Sequence, residues 1–300
     1  MAWTEKDIPA LDGKTAVITG ANSGLGLAAA TLLAAHGARV IMACRNAAKA
    51  EAAAQTVRAT ATGPVEIMSL DLASLASVDA CASALLRDEQ SLDLLLNNAG
   101  LMAIDEARTE DGFEMQLGVN HLGHFVLTAK LFPLLESTPG ARVVNHASMG
   151  HRAAGRFRVD DLFFEQRGYK RWPPYFQSKL ANLLFTFELD RRLRAAGKQT
   201  KSLAGHPGGS RTDLGFEGQG ASNRFVQFGQ FALQPARIGA LPFVRAAVDP
   251  SAQSGEFYGP ALLVWGYPRK ETASRKARNA DHARALWEKS EELTGVTFSV

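Results

Sequence analysis

Thr15-Ala16-Val17-Ile18-Thr19-Gly20-Ala21-Asn22-Ser23-Gly24-Leu25-Gly26 joins a run of β-branched and aliphatic residues to three glycines, and the Ala- and Leu-rich stretch Leu27 to Ala35 follows. The first five residues suit a buried strand and the last stretch a helix. A glycine-rich turn between the two has a chemical use: backbone N–H groups and the positive helix end can meet a pyrophosphate with no Cβ in the way. The spacing is Gly-x-x-x-Gly-x-Gly at Gly20, Gly24 and Gly26, which differs from the common Gly-x-Gly-x-x-Gly fingerprint. A purely structural turn is the competing reading, and the position between strand and helix counts against it. Gly20, Asn22, Ser23, Gly24, Leu25 and Gly26 are therefore candidate binding residues.

Outward from this turn the same alternation repeats. Arg39 to Ala43, Val65 to Ser69, Leu92 to Leu96, Arg142 to Ala147 and Thr200 to Ala204 read as strands. Between them, Ala47 to Thr60, Ser74 to Arg87, Phe113 to Leu135 and Pro174 to Ala196 read as helices. Strands separated by crossover helices pair in parallel, so the spacing predicts an α/β fold: a doubly wound parallel sheet with helices on both faces. In such a sheet the ligand binds beyond the C-terminal strand ends, where the strand order reverses. No repeat, low-complexity tract or linker divides the chain, so residues 1–300 are expected to form a single domain. Two segments leave the alternation, 150–173 and 214–235; both follow strand ends and are expected to shape the rim of the site.

Composition excludes several classes. With 46% hydrophobic and 21% charged residues the chain is an ordinary globular one. Its 33 basic and 30 acidic residues are spread along the sequence, so no block reads as a nucleic-acid-binding arm. Two cysteines, Cys44 and Cys81, make no disulfide framework, which fits a reducing cytoplasm. The charged start Met1 to Asp7 lacks the apolar core of a secretory signal. No apolar run approaches the ~20 residues needed to span a bilayer, so no membrane span is expected.

The end of the second strand bears on cofactor choice. Dinucleotide folds that prefer NAD place a carboxylate there, about 20 positions after the glycine turn, to grip the ribose hydroxyls. Here the sequence is Ala43-Cys44-Arg45-Asn46, and Arg45 can pair with a 2′-phosphate through its planar fork. NADP(H) is therefore expected over NAD(H), the alternative being an arginine that merely sits in solvent at a strand end. Asp71-Leu72, past the third strand, offers a carboxylate to an adenine amino group. Asn97-Asn98-Ala99-Gly100, after the fourth, puts amide and small residues where backbone passes close to a cofactor, which makes Asn98, Ala99 and Gly100 candidates; an ordinary turn is the competing reading.

Tyr175 and Lys179 are four positions apart at the start of a helical segment, hence on one face one turn apart. A phenol with an ordinary pKa of about 10 is a poor base at neutral pH, but a nearby ammonium and an oxidised nicotinamide both favour its phenolate. Tyr175 could then take the alcohol proton in oxidation or donate it to a carbonyl in reduction. Alone, the pair could equally be an unremarkable surface pair. Ser148 ends the strand Val143 to Ala147, where its hydroxyl can polarise a substrate oxygen. Asn120, inside a predicted helix, is unfavourable there unless its amide is used; it could hold a water that passes protons on from Lys179.

Taken together, these residues resemble the short-chain dehydrogenase/reductase family over nearly the whole chain. The matching motifs are Thr19 to Gly26, Asn97 to Gly100, Asn120, Ser148, Tyr175 with Lys179, and His206-Pro207-Gly208 with Thr212. The resemblance implies a Rossmann-type fold and a catalytic set of Asn120, Ser148, Tyr175 and Lys179. It also implies cofactor contacts from Lys179 to the nicotinamide ribose, from Thr212 near the carboxamide, and from Pro207, Gly208 and Tyr175. Ser178 to Thr186, and the ending Leu286-Trp287-Glu288 to Leu293-Thr294-Gly295, look like the retinol-dehydrogenase-like subgroup, whose members often reduce apolar aldehydes or ketones with NADPH. Three features depart from the family pattern: Ala147 stands where a serine is common, Tyr175 follows Ser148 by 27 positions, and Pro173-Pro174 opens the helix.

The resulting expectation is an NADP(H)-dependent oxidoreductase acting on a small apolar carbonyl or its alcohol. A non-catalytic NADP(H)-binding redox sensor is the alternative, and a sugar-nucleotide epimerase ranks below both. Family relatives often assemble as homodimers or homotetramers, through the helices predicted at Phe113 to Leu135 and Pro174 to Ala196. His121 and His124 lack a carboxylate or cysteine at ligand spacing, so no metal is expected. His206 reads as a turn or cofactor-loop residue rather than a base, and Arg269, Lys270, Arg275, Lys276 and Arg278 as a solvated face. Phe225, Phe228, Phe231 and Phe243 read as pocket lining or a lid, with core packing as the competing account.

Overall fold

The computed structural model describes residues 2–209 and 234–300, and within them eight strands form one sheet in the order β3-β2-β1-β4-β5-β6-β7-β8. They are β1 (Thr15–Thr19), β2 (Arg39–Cys44), β3 (Val65–Ser69), β4 (Leu94–Asn97), β5 (Arg142–His146), β6 (Lys201–Gly205), β7 (Phe257–Pro260) and β8 (Pro268–Glu271). All neighbours run parallel except β7 and β8, which pair antiparallel from Phe257 opposite Glu271 to Pro260 opposite Pro268. The six predicted strands, β1 to β6, all pair in parallel as expected, and the antiparallel edge strand lies beyond them. β8 is short and carries exposed Arg269 and Lys270, so it has no apolar pattern to read, and such charge blunts a sheet edge.

Along β1, Ala16 and Ile18 face one core and Val17 the other, so the strand is apolar throughout because both its faces are covered. The first face is packed by α1 (Gly24–Ala35), α2 (Ala47–Arg58) and α7 (Ala236–Val248). The second carries α3 (Leu75–Asp88), α5 (Gly123–Ser137), α6 (Trp172–Ala195) and α8 (Ala280–Thr294). Gly205 permits the approach of α7, since a Cβ there would meet the Phe243 Cα at 2.8 Å. Phe243 is buried in this core against the His146 ring, with centroids 5.0 Å apart, so for this residue core packing replaces the pocket-lining expectation. Phe225, Phe228, Phe231, Thr212 and most of the rim segment 214–235 lie outside the described residues.

The predicted helix Phe113 to Leu135 starts later and is not uniform. A single turn, α4 (Met115–Leu117), opens into a wider π-helical turn at Gly118–Leu122 before α5 continues. Such wide turns occur where a side chain competes with the regular ladder, and Asn120 sits inside this one. On α5 and α6, the helices expected to meet a partner subunit, the chain's own C-terminal residues also pack: Trp287 and Phe298 stack with centroids 4.8 Å apart and close on Phe125 and Phe185. Among the described residues, no helix is long and apolar enough to cross a membrane.

Burial holds the rings of four histidines below the ordinary pKa of 6.5: His121 at about 3, His124 and His151 at about 4, and His146 well below. Each is neutral in the fold but takes up a proton in the unfolded chain below 6.5, so the unfolded state binds more protons and stability falls as pH drops. Thermal melts are expected to show the melting temperature declining steadily from pH about 6.5 to about 4. A flat profile across that window would mean these rings are solvated.

Candidate active site

β1 lies between β2 and β4, so the chain order reverses at its C-terminal end, and a crevice opens there. The cleft has a volume of about 800 Å³ and is lined by Gly20, Asn22, Ser23, Gly24, Leu25, Gly26, Arg45, Asp71, Leu72, Asn98, Ala99 and Gly100, every cofactor candidate read from the first four strand ends. Gly20 takes a left-handed φ of +64°, and a Cβ on it would meet the Ala99 Cβ at 2.9 Å. A Cβ on Gly26 would lie 2.3 Å from the Gly20 carbonyl oxygen and 2.5 Å from Asn98 Nδ2. These glycines let the turn fold tightly on the β4 loop and leave the N-terminus of α1 open to the cleft.

The turn is braced from beneath by Thr19, whose Oγ1 accepts from the Asn98 and Ala99 N–H groups, both at 2.9 Å, and lies 2.8 Å from His124 Nε2. Asn98 completes the brace, donating to the Thr19 carbonyl at 2.8 Å and accepting from His146 Nδ1 at 3.0 Å. Its side chain thus fixes the loop, while Asn97 turns into the core to reach Thr128 and Asn145. Asp71 lines the cleft while its Oδ1 accepts from the Ala73 N–H at 2.9 Å.

Arg45 stands exposed at the other end of the cleft, with no ion-pair partner among the described residues. Lys49, one turn further on along α2, lines the same end. Sequence reading missed Lys49; its i, i+4 relation to Arg45 across the helix start was the available signal. Thr19 and His146 were also missed as site-shaping residues, because they act through backbone on other elements.

Beyond Gly100 the polar side chains of the second constellation begin. A Cβ on Gly100 would sit 3.0 Å from Asn120 Oδ1 and 3.4 Å from Lys179 Nζ. Asn120 Oδ1 accepts from the Leu101 N–H at 2.7 Å, and its Nδ2 donates to the Leu101 carbonyl at 3.0 Å and to Ser178 Oγ at 2.8 Å. The amide is used, but on protein groups: it ties the β4 loop to α6. Lys179, 5% exposed, donates to the His146 carbonyl at 3.1 Å and lies 5.9 Å from the centre of the Tyr175 ring. Ser148 accepts from the Gly150 N–H at 3.0 Å and lies beside the Tyr175 ring. Gly150 is glycine for a reason, since a Cβ there would meet Ser148 Oγ and Tyr175 Cε1, each at 3.3 Å.

The electrostatics follow from burial. Desolvation pushes the Tyr175 phenol up, and the neighbouring Ser148 hydroxyl pulls it the other way. Desolvation lowers Lys179 to about 8. Asn120, Ser148, Tyr175 and Lys179 are thus gathered past the inner end of the cleft rather than lining it. His206 follows β6: buried, it lies 2.6 Å from Glu271 and accepts from the Gly208 N–H at 3.1 Å. Pro207 and Gly208 follow β6 at the same sheet edge, with Pro207 accepting from Gln234 at 2.8 Å. His121 and His124 are core residues, and no group of metal-ligating side chains occurs among the described residues.

A model of the short chain dehydrogenase family matches residues 14–159. The chain is 38% identical to human retinol dehydrogenase 13, over 95% of this chain and 86% of that protein, and 40% identical to human retinol dehydrogenase 12, over 96% and 88%. It belongs to the short-chain dehydrogenase family. An uncharacterised protein of Mycobacterium paratuberculosis superposes with a TM-score of 0.85 at 43% identity, each chain covered completely. A short chain dehydrogenase of Shigella flexneri solved with NADP shares the fold, with a TM-score of 0.66 at 22% identity over 83% of this chain and 98% of that one. As a short-chain dehydrogenase the chain is an oxidoreductase, and it resembles the retinol dehydrogenases.

Proposed function

We propose that this protein interconverts an apolar aldehyde or ketone and its alcohol with NADP(H), using Tyr175 as general acid and base. The observation that carries the reading is the Tyr175 hydroxyl set beside Ser148 and backed by the Lys179 ammonium, just past a glycine-cradled cleft. The cleft fits a dinucleotide: about 800 Å³, an open helix N-terminus, and glycines that let the turn close on the β4 loop. Gly20 to Gly26 would hold the pyrophosphate, Asp71 and Leu72 the adenine, and Arg45 with Lys49 a 2′-phosphate; Pro207 and Gly208 would flank the nicotinamide end. When bound, the nicotinamide supplies or accepts the hydride.

The chain's own residues handle the proton. Ser148 and Tyr175 together present two hydroxyls to a substrate carbonyl oxygen, polarising it. Burial keeps Tyr175 protonated, which suits it to donate its proton to that oxygen as reduction proceeds. The phenolate left behind is stabilised by the Lys179 ammonium, which still holds its proton at neutral pH with a pKa of about 8. Asn120 and the His146 carbonyl keep Lys179 and α6 in register with the β4 loop. The retinol dehydrogenases it resembles support an apolar substrate.

The test is NADPH consumption against aliphatic, aromatic, retinoid and steroid carbonyls, with charged sugar aldehydes as a control. Turnover is expected on one or more apolar classes, with kcat/KM at least about tenfold above the charged control, the lower end of what a single buried methylene supplies. Turnover confined to the charged aldehydes would defeat the apolar reading.

A further inference from the structure

Among the described residues, five of the six large apolar side chains that are exposed lie in one hairpin loop: Leu262 at 73%, Leu263 at 53%, Val264 and Trp265 at 46%, and Tyr267 at 45%. Singly scattered exposed apolar residues need no explanation, but a contiguous group marks an interaction surface. The loop joins β7 to β8 and is held in shape. Leu262 donates to the Trp265 carbonyl at 3.0 Å, Ala261 to that of Tyr267 at 2.9 Å and Val264 to that of Leu262 at 2.7 Å. This tight path puts Leu263 in the left-handed region with φ +66°, a conformation that bulky residues adopt only under constraint. The fold thus expends strain to present a leucine to solvent.

The loop is also joined to the active-site edge. Gly209 donates to the Val264 carbonyl at 2.9 Å, and Gly266 donates to Gln234 at 3.1 Å. Because β7 runs parallel to β6, the loop leaves the same sheet edge as the turn His206-Pro207-Gly208, the edge at which the cleft opens. The charge at its base is positive. Glu256 is paired with Lys270, and Glu271 with Arg152 and His206, while Arg269 beside them is exposed with no ion-pair partner among the described residues.

We propose that this loop docks the protein on the surface of an anionic phospholipid bilayer. Leucines at the tip, the amphipathic rings of Trp265 and Tyr267 behind them and an unmatched arginine at the base are the order in which a shallow interfacial anchor meets acyl chain, headgroup boundary and lipid charge. An apolar substrate dissolved in the bilayer would then reach the cleft from the adjoining sheet edge; this purpose rests on the proposed substrate class, whereas the docking does not.

The test is sedimentation of the full chain with sucrose-loaded vesicles, either phosphatidylcholine alone or with about 30 mol % phosphatidylserine. Wild type is expected to partition to the anionic vesicles at least about tenfold more strongly than Leu262→Ser/Trp265→Ser, and more strongly than to neutral ones. Both proteins should keep the same melting temperature and the same turnover of a water-soluble aldehyde. If wild type stays in the supernatant, or the double variant sediments equally, the proposal fails. It also fails if gel filtration shows a wild-type dimer that the variant abolishes, since the loop would then be covered by a second copy. The binding readout is independent of substrate, so a failed carbonyl screen leaves it standing.

Discussion

Tyr175→Phe is expected to lower kcat by about a thousandfold, within the ~10²–10⁴ that positioned proton transfer contributes, while NADPH binding stays within about twofold of wild type. The ring is 8% exposed and packs at its edge near Gly150, so phenylalanine fills the same space and only the hydroxyl is lost. Ser148 would then face the substrate alone, and a serine hydroxyl is too weak an acid to replace the phenol. Cofactor affinity followed by fluorescence, beside single-turnover rates, separates the two effects. A variant that binds NADPH and reduces carbonyls at the wild-type rate would remove Tyr175 from the chemistry and favour a redox sensor, which has no use for an acid–base pair.

Arg45→Ala is expected to weaken NADPH binding by about ten- to hundredfold and leave NADH nearly unchanged. A charged hydrogen bond contributes about 1.5–3 kcal/mol, and every ~1.4 kcal/mol is tenfold. Arg45 is exposed, so the lower part of that range applies, and Lys49 at the same end of the cleft would retain part of the attraction. Arg45→Ala/Lys49→Ala should therefore approach equal affinity for the two cofactors, read by equilibrium titration of each. Because the term is electrostatic, added salt should narrow the wild-type preference. A double variant that still prefers NADPH would assign the 2′-phosphate to other residues.

Strand β3 coincides with its predicted residues, and α2, α3, β5, β6 and α6 are displaced by a residue or two at their ends. Those segments were legible because their apolar residues recur with a strand or helix period and are bounded by glycine, proline or cap residues. The last third was less legible. β8 has four residues of which two are exposed and basic, and β7 is Phe257-Tyr258-Gly259-Pro260, whose Gly-Pro ending reads as a turn. Within the site, the glycine turn, Arg45, Ser148, Tyr175 and Lys179 were readable because each occupies a position relative to its own element. Lys49, Thr19 and His146 were not, because their significance comes from partners 30 or more residues away or from the shape of a cleft.

The sequence by itself determined a parallel, doubly wound sheet with a phosphate-receptive first turn, because local periodicity and a strand–glycine–helix order leave few other ways to bury these residues. Only the tertiary structure decided that Asn120 braces Leu101 and Ser178, that a buried histidine pins Asn98, and that an apolar hairpin shares the edge on which the cleft opens. Hydrogen bonds and exposure depend on which distant segments meet, and that is set by the packing of whole layers rather than by any window of the chain.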